Sequence, residues 1–249
     1  MHFQLLFISL ITYATLAGDT TGLKPVDHTI WDGLLQRHVK ADGFVDYKGF
    51  IRDSAELNRY LDLLSSADPE STSWSREEKM AFWINAYNAY TVKLIVDNYP
   101  VASIKDIKRG IAFVNSVWDI KFIRINGKPY DLNKIEHGIL RPKFKDARIH
   151  AAINCASWSC PRLQPTAFVA EKLDAQLTHA MREFMNDPVR NKISSKKAEI
   201  SAIFKWFAGD FVRDAGSVRA YVNRYVKEKL SRDGKLSYLT YDWRLNDAR

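Results

Sequence analysis

The chain has 249 residues, of which 46% are hydrophobic, so it can bury a core and is not a disordered protein. Its two cysteines, Cys155 and Cys160, exclude a small fold stapled by several disulfides. The net charge of +8 comes from Lys and Arg interleaved with Asp and Glu, which predicts weak binding to an anionic surface and no specific nucleic-acid partner.

The first predicted segment is an apolar run without charges over residues 3–17, ending in small residues such as Ala14 and Ala17. A membrane span needs about 20 apolar residues, so this length favours a signal peptide. We expect a signal peptide over residues 1–17, a single domain over residues 18–249, no transmembrane segment, and export to an extracellular, periplasmic or lumenal compartment. A buried N-terminal strand or helix is the alternative, because the run is preceded only by the amino terminus and His2.

Two helices are predicted next, on either side of an extended stretch over residues 43–47. The first begins at Asp27 and stops near Gly43, and the second follows Asp53. Each carries apolar residues at helical spacing, which is typical of a face packed on a core: Ile30, Leu34 and Leu35 in the first, and Leu57, Tyr60, Leu61 and Leu64 in the second.

The clearest predicted element is a helix over residues 75–98, closed by Pro100. Ser75 and Glu78 fit a capping box, and the body is apolar nearly all round, so the helix should be central and buried. Asn85 and Asn88 interrupt it on one stripe. A buried amide without hydrogen-bond partners costs about 1 to 3 kcal/mol, so these two must face a polar feature inside the protein.

A strand and a tight hairpin at Asn126-Gly127 are predicted between residues 118 and 130. Asp131 then caps a short helix over residues 132–140, and residues 148–155 have the length and composition of a strand that ends at a turn. The rest is mostly helical, with a last strand over residues 236–241. The predicted fold is α+β, mainly helical around a small antiparallel sheet.

Potentially reactive side chains crowd between residues 136 and 160: Glu136, His137, His150, Cys155 and Cys160. A thiolate is a nucleophile only if a neighbouring base or ring of donors stabilises it near neutral pH. Cys155 follows a predicted strand, where its sulfur can project into a cleft. His137 and His150 are the candidate bases. The side-chain amide of Asn85 or Asn88 can donate to an oxyanion or orient a histidine.

Neither histidine is preferred. On an unbroken strand His150 faces away from Cys155, and a bulge near Asn154 would be needed to bring them together. His137 comes from the preceding helix and has no such restriction. Glu136 lies about 100° around that helix from His137, so it is better placed to orient His150.

The two cysteines have other uses. An exported chain can close Cys155 and Cys160 into a disulfide, which adds modest stability because the loop is short. With two histidines they also make a tetrahedral zinc set, although the histidine spacing matches no zinc-finger pattern. We therefore predict no metal and no cofactor.

Three segments carry a specific resemblance to a known family: Phe82–Ala89, Ile135–Arg141 and Arg148–Leu163, which includes Asn154-Cys155 and Cys160-Pro161. They look like the hallmark segments of the domain of unknown function 547 family. Weaker matches lie in residues 45–47, 203–207 and 241–243, so the resemblance covers nearly all of the chain after residue 17.

The family is similar in outline to papain-like and transglutaminase-like thiol enzymes, which implies a Cys and His hydrolytic site. The resemblance implies that Cys155 is the nucleophile beside Asn154, and that Cys160 is dispensable. Its other motif positions fall on Glu136, His137, His150, Asn85 and Asn88. The chain departs from the papain-like plan in one respect. There the cysteine opens the long central helix, whereas here that helix carries the two asparagines.

The first hypothesis is an exported cysteine hydrolase that acts on an amide, peptide or thioester. Cys155 is its nucleophile, His137 or His150 its base, and Glu136 an orienting group. Asn85, Asn88 or the Cys155 amide stabilises the oxyanion. The second hypothesis is an exported, non-catalytic binding module that recognises a peptide end or an acidic polymer and has Cys155 bridged to Cys160.

Overall fold

A computed structural model describes residues 24–108 and 116–248 of the chain. The predicted signal peptide over residues 1–17 lies outside these described residues. Within them, no helix combines the length and the apolar character that crossing a membrane requires.

The N-terminal part of the described chain is a helical layer on one long helix. Three helices, α1 (Thr29–His38), α2 (Tyr47–Arg52) and α3 (Ser54–Ser66), pack against one another, and α2 and α3 also pack against α4 (Arg76–Val96). The helices predicted after Asp27 and Asp53 are confirmed, and α2 is an additional one. Val45 is extended as predicted, forming bridges to Val39 and Asp247, and the Asp46 side chain then caps α2.

Helix α4 begins at the predicted capping box. The Ser75 hydroxyl accepts from the Glu78 amide at 3.1 Å, and the Glu78 carboxylate accepts from the Ser75 amide at 2.6 Å. From Met80 to Thr91 every residue is buried, because other elements cover the helix on all sides. This confirms that α4 is the central helix, and it anchors the larger hydrophobic core.

The predicted hairpin is confirmed. Strands β1 (Ile123–Ile125) and β2 (Lys128–Tyr130) pair antiparallel, and Asn126 and Gly127 between them have positive φ values of 49° and 70°. The strand is shorter than predicted, because Trp118 lies in a 3₁₀ turn. The chain continues through α5 (Leu132–Ile135) into a π-helical stretch, Glu136–Phe144, whose wider winding contains Pro142.

The strand predicted over residues 148–155 is wrong in its first half. Residues Ile149–Ala152 form a short helix, α6, which packs on α7 (Leu173–Asn186), and the chain becomes extended only from Ile153. A short apolar run has no periodicity that distinguishes a buried helix from a buried strand. The change removes the alternation that would have kept His150 and Cys155 on opposite faces.

The C-terminal part builds a second core and a small sheet. Strands β3 (Lys192–Ile193), β4 (Lys197–Ile200) and β5 (Lys235–Tyr238) form it in that order, with β3 antiparallel and β5 parallel to β4. Helices α8 (Ile203–Trp206), α9 (Ala208–Ala215) and α10 (Val218–Tyr225) lie between β4 and β5 in the chain. The mainly helical α+β fold is therefore confirmed, although β3 and β4 were not predicted.

Candidate active site

A cavity of about 220 Å³ lies where the two cores meet. Its polar lining contains almost every reactive side chain singled out in the sequence: Glu136, His137, His150, Cys155 and Cys160. These come from the π-helical stretch, from α6 and from the turn that follows α6. The fold thus brings the predicted site residues to one place.

The turn that carries Cys155 is held by the side-chain amide of Asn88, which lies on the central helix α4. Asn88 donates to the Ala152 carbonyl at 2.9 Å and accepts from the Asn154 amide at 2.8 Å. Asn154 in turn donates from its side chain to the Pro161 carbonyl at 2.8 Å. The two asparagines therefore fix the backbone on both sides of the cysteine.

Asn85 makes the same pair of contacts with another segment, donating to the Phe168 carbonyl at 2.7 Å and accepting from its amide at 3.0 Å. The side-chain donors of Asn85, Asn88 and Asn154 thus all end on backbone carbonyls. The Cys155 amide donates to the Cys160 sulfur at 3.0 Å. These contacts use one N–H of each side-chain amide, and none of the three asparagines lines the cavity, so the oxyanion role predicted for these groups stays a prediction.

The Cys155 sulfur is surrounded by donors. It lies 3.2 Å from the Cys160 sulfur, 3.2 Å from the Ser157 hydroxyl and 3.3 Å from the Tyr241 hydroxyl. A disulfide bond measures about 2.05 Å, so the two cysteines are not bridged here. The second hypothesis, a binding module with Cys155 bridged to Cys160, requires a disulfide that these two cysteines do not form in this structure.

These donors favour the thiolate of Cys155. The hydrogen bond from the Cys160 thiol, helped by Ser157 and Tyr241, lowers the pKa of Cys155 to about 7 against the opposing effect of burial. Burial and the neighbouring Cys155 charge raise the pKa of Cys160 well above its ordinary value. Of the two thiols, Cys155 is therefore the one that ionises first.

His150 is buried and held by a carboxylate that the sequence did not reveal. Its Nε2 lies 2.8 Å from Asp210 Oδ2, and its ring stacks on Phe207 with 4.1 Å between the centroids. Asp210 also accepts from Arg141 at 2.7 Å. Burial alone would raise the pKa of Asp210, but the hydrogen bonds from His150 and Arg141 hold that pKa well below its usual range, so the carboxylate is ionised.

The ionised Asp210 sets the tautomer of His150. A carboxylate only accepts, so Nε2 carries the proton and Nδ1 has the free lone pair. Burial lowers the pKa of His150, although Asp210 opposes the shift, and the ring is neutral near pH 7. Its Nδ1 faces Glu136 Oε1 at 3.8 Å, which is longer than a hydrogen bond.

Glu136 is a buried carboxyl kept in its acid form. Burial, and then the negative charge of Cys155, raise its pKa to about 8, with Arg141 opposing the shift. It faces His150, as the helical geometry predicted. The cavity therefore pairs a thiol whose pKa is lowered with a carboxyl whose pKa is raised.

His137 occupies the rim of the cavity. Its side chain is exposed, its Nδ1 is 2.9 Å from Arg141 Nη1, and its ring stacks towards Phe207. Burial and the Arg141 charge lower the pKa of His137. Among the described residues no imidazole hydrogen-bonds the Cys155 sulfur, and His150 is the histidine buried beside the reactive groups.

Aromatic side chains form the remaining wall, and sequence reasoning missed their role. Tyr241 and Trp243 pack at 4.6 Å between ring centroids, and Trp206 and Trp118 lie beside them. The sequence signal for this wall was the weaker family resemblance of residues 203–207 and 241–243, which contain Trp206, Tyr241 and Trp243. Asp210 had no such signal, because nothing local distinguishes it from a solvated helix carboxylate.

The described residues contain no group of three or more His, Cys, Asp or Glu side chains placed to hold a metal ion. Tyr241, rather than a second histidine, supplies the third polar group around the sulfurs. The cavity thus places two thiols, a carboxyl, an imidazole and a phenol together.

Fold and cavity together define the class: an α+β protein in which a cysteine, a buried glutamate and a histidine–aspartate pair open on one aromatic-walled cavity. Residues 71–185 match the sequence profile of a family described as "Protein of unknown function, DUF547". This match confirms, over residues 71–185, the resemblance predicted from the three motif segments. No curated protein and no solved structure matches the chain.

Proposed function

We propose that the protein is a cysteine-dependent hydrolase of amide, peptide or thioester bonds, with Cys155 as nucleophile. The observation that carries the proposal is that Cys155, Glu136 and His150, which is hydrogen-bonded to Asp210, line one cavity. A nucleophile and an acid whose environments push their pKa values apart are what acyl transfer near neutral pH requires.

In the first half of the reaction the Cys155 sulfur attacks the carbonyl carbon and Glu136 donates its proton to the leaving amine or thiol. This yields an acyl-enzyme thioester and an ionised Glu136. In the second half Glu136 removes a proton from the attacking water, and the acid is released with Cys155 restored. His150 takes up or returns a proton at Nδ1, and Asp210 stabilises its charged form.

Tyr87 is the donor that we assign to the oxyanion. Its hydroxyl receives a hydrogen bond from Trp118, and burial and the negative charge of Glu136 raise its pKa well above the ordinary value. The phenol therefore keeps its proton at neutral pH and can offer it to an oxygen inside the cavity that it lines. It replaces the asparagines as the candidate group for this role.

Alkylation by iodoacetamide tests the nucleophile without a known substrate. Only the thiolate reacts, so the rate is expected to rise with pH, with a midpoint near 7, and to level off about one unit higher. A single cysteine, Cys155, should be modified rapidly, as peptide mapping by mass spectrometry would show. An ordinary thiol has its midpoint at about pH 8.5.

Two variants serve as controls. Cys160→Ala removes the thiol donor, so the midpoint for Cys155 should move up towards the ordinary value. Cys155→Ser leaves Cys160, which is 3% exposed and should react slowly at every neutral pH. Equal rates for both cysteines, or a wild-type midpoint at the ordinary value, would refute the assignment.

We also propose that the protein is exported, which rests on the apolar run of residues 3–17 alone. When the full-length chain is expressed in its native secretory compartment, the recovered protein is expected to begin at Gly18. N-terminal sequencing measures this directly. Recovery of a chain that retains residues 1–17 would contradict the proposal.

A further inference from the structure

The two cysteines differ in the way that a thiol–disulfide exchange pair requires. Both line the cavity, but Cys155 is partly exposed, whereas Cys160 is buried and 3% exposed. Their sulfurs are 3.2 Å apart, so forming a bond of about 2.05 Å needs an approach of roughly 1.2 Å. An incoming disulfide therefore meets the more exposed Cys155 sulfur first, and the Cys160 sulfur lies close enough to attack it.

The intervening turn keeps the sulfurs together. Ala156 adopts a left-handed conformation with φ of 58°, and its amide is held by the Asn154 side chain at 2.8 Å. The amides of Trp158 and Ser159 bond to carbonyls of the C-terminal segment at 2.7 and 3.2 Å. A fixed turn removes most of the entropy cost of closing the pair.

From this geometry we infer that Cys155 and Cys160 act as an attacking and a resolving cysteine that reduce a disulfide substrate entering the cavity. This activity goes beyond hydrolysis and rests on the same nucleophile. It uses the buried thiol of Cys160, to which the hydrolytic steps assign only a supporting hydrogen bond.

The reaction balances in two steps. The Cys155 thiolate attacks a disulfide RSSR, the S–S bond breaks, and one thiolate RS⁻ leaves and takes up a proton from solvent. The Cys160 thiol then loses its proton and attacks the Cys155 sulfur, breaking the mixed disulfide and releasing a second RS⁻, which is protonated to RSH. The protein dithiol is oxidised to a disulfide, and RSSR is reduced to two RSH.

The second step is assisted by the backbone. The Cys155 amide points at the Cys160 sulfur at 3.0 Å and stabilises a thiolate there. Once Cys155 is in a mixed disulfide its negative charge is gone, and with it one cause of the raised pKa of Cys160. The resolving thiol is therefore activated only after the attacking thiol has reacted.

The test uses 2,2′-dithiodipyridine, an aromatic disulfide that releases a coloured thiopyridone. The reduced wild-type protein is expected to release two equivalents and to lose about 2 Da, the mass of two hydrogens, with dithiothreitol restoring both thiols. Cys160→Ser should release one equivalent and retain the mixed disulfide on Cys155. Cys155→Ser should react at least about tenfold more slowly.

Intact mass decides between the outcomes. A wild-type protein that keeps one pyridyl adduct, or carries two, would overturn the inference, because Cys160 would then not resolve the mixed disulfide. This result does not require either variant to fold. If exchange fails while iodoacetamide still modifies Cys155 with a midpoint near pH 7, the proposed nucleophile stands and only the redox activity is refuted.

Discussion

Replacing Asp210 with asparagine is expected to lower kcat for acyl-substrate hydrolysis by about 10³- to 10⁴-fold, with little change in KM. The amide carries no charge to stabilise a protonated His150, and its N–H₂ group can reverse the ring tautomer that leaves Nδ1 free. A chromogenic aromatic thioester is a suitable substrate, since the cavity wall is aromatic. Steady-state kinetics at pH 7.5 measure the effect.

Asp214→Asn is the matched control, because Asp214 lies on the same helix and bonds to the Ala147 amide at 2.8 Å and to Arg213, without contacting His150. It should leave kcat within a few-fold of the wild type. Alkylation of Cys155 should be unchanged in both variants, since neither carboxylate contacts the sulfur. Equal kcat values for the two variants would argue against a role for the histidine–aspartate pair.

The largest expected effect on stability comes from Asn88→Ala. The substitution leaves the Ala152 carbonyl and the Asn154 amide without their partners in a buried place, at about 1 to 3 kcal/mol each. The free energy of unfolding should fall by about 2 to 5 kcal/mol, as urea denaturation would show. Alkylation of Cys155 should also slow, because the turn that presents the sulfur loses its anchor.

Asn98→Ala provides the comparison. Asn98 follows α4 and is half-buried, and its side chain donates to the Leu94 carbonyl at 2.7 Å. Its loss should cost under about 1 kcal/mol, since water can replace the contact. Equal losses of stability in the two variants would mean that the two buried hydrogen bonds of the Asn88 side chain are not what stabilises the turn.

Local signals were sufficient for several elements of the fold. The capping box at Ser75 and Glu78 fixes the start of α4, and the Asn126-Gly127 pair fixes the hairpin, because each acts through its own neighbours. The Asn85 and Asn88 stripe was also recognised as facing something polar. Its partners are backbone groups of Phe168, Ala152 and Asn154, which no helical pattern can identify.

Other parts depend on contacts between distant residues. Residues 149–152 form a helix that packs on α7, a contact that a short apolar run does not reveal in the sequence. The cluster from Glu136 to Cys160 was found because its members are close in sequence. Asp210 was missed because it lies 60 residues from His150 and meets it only in the folded chain.

The family match covers only part of the residues that line the cavity. Residues 71–185 include Cys155, Glu136 and His150, whereas the aromatic wall at Trp206, Tyr241 and Trp243 lies beyond them. The matched stretch thus carries the thiol and the carboxyl, and the stretch after it carries Asp210 and one aromatic side of the cavity. Substitutions in the C-terminal stretch at Trp206 or Trp243 can change which molecules enter while the thiol and its acid stay as they are, so members of one family can share a chemistry and differ in what they act on.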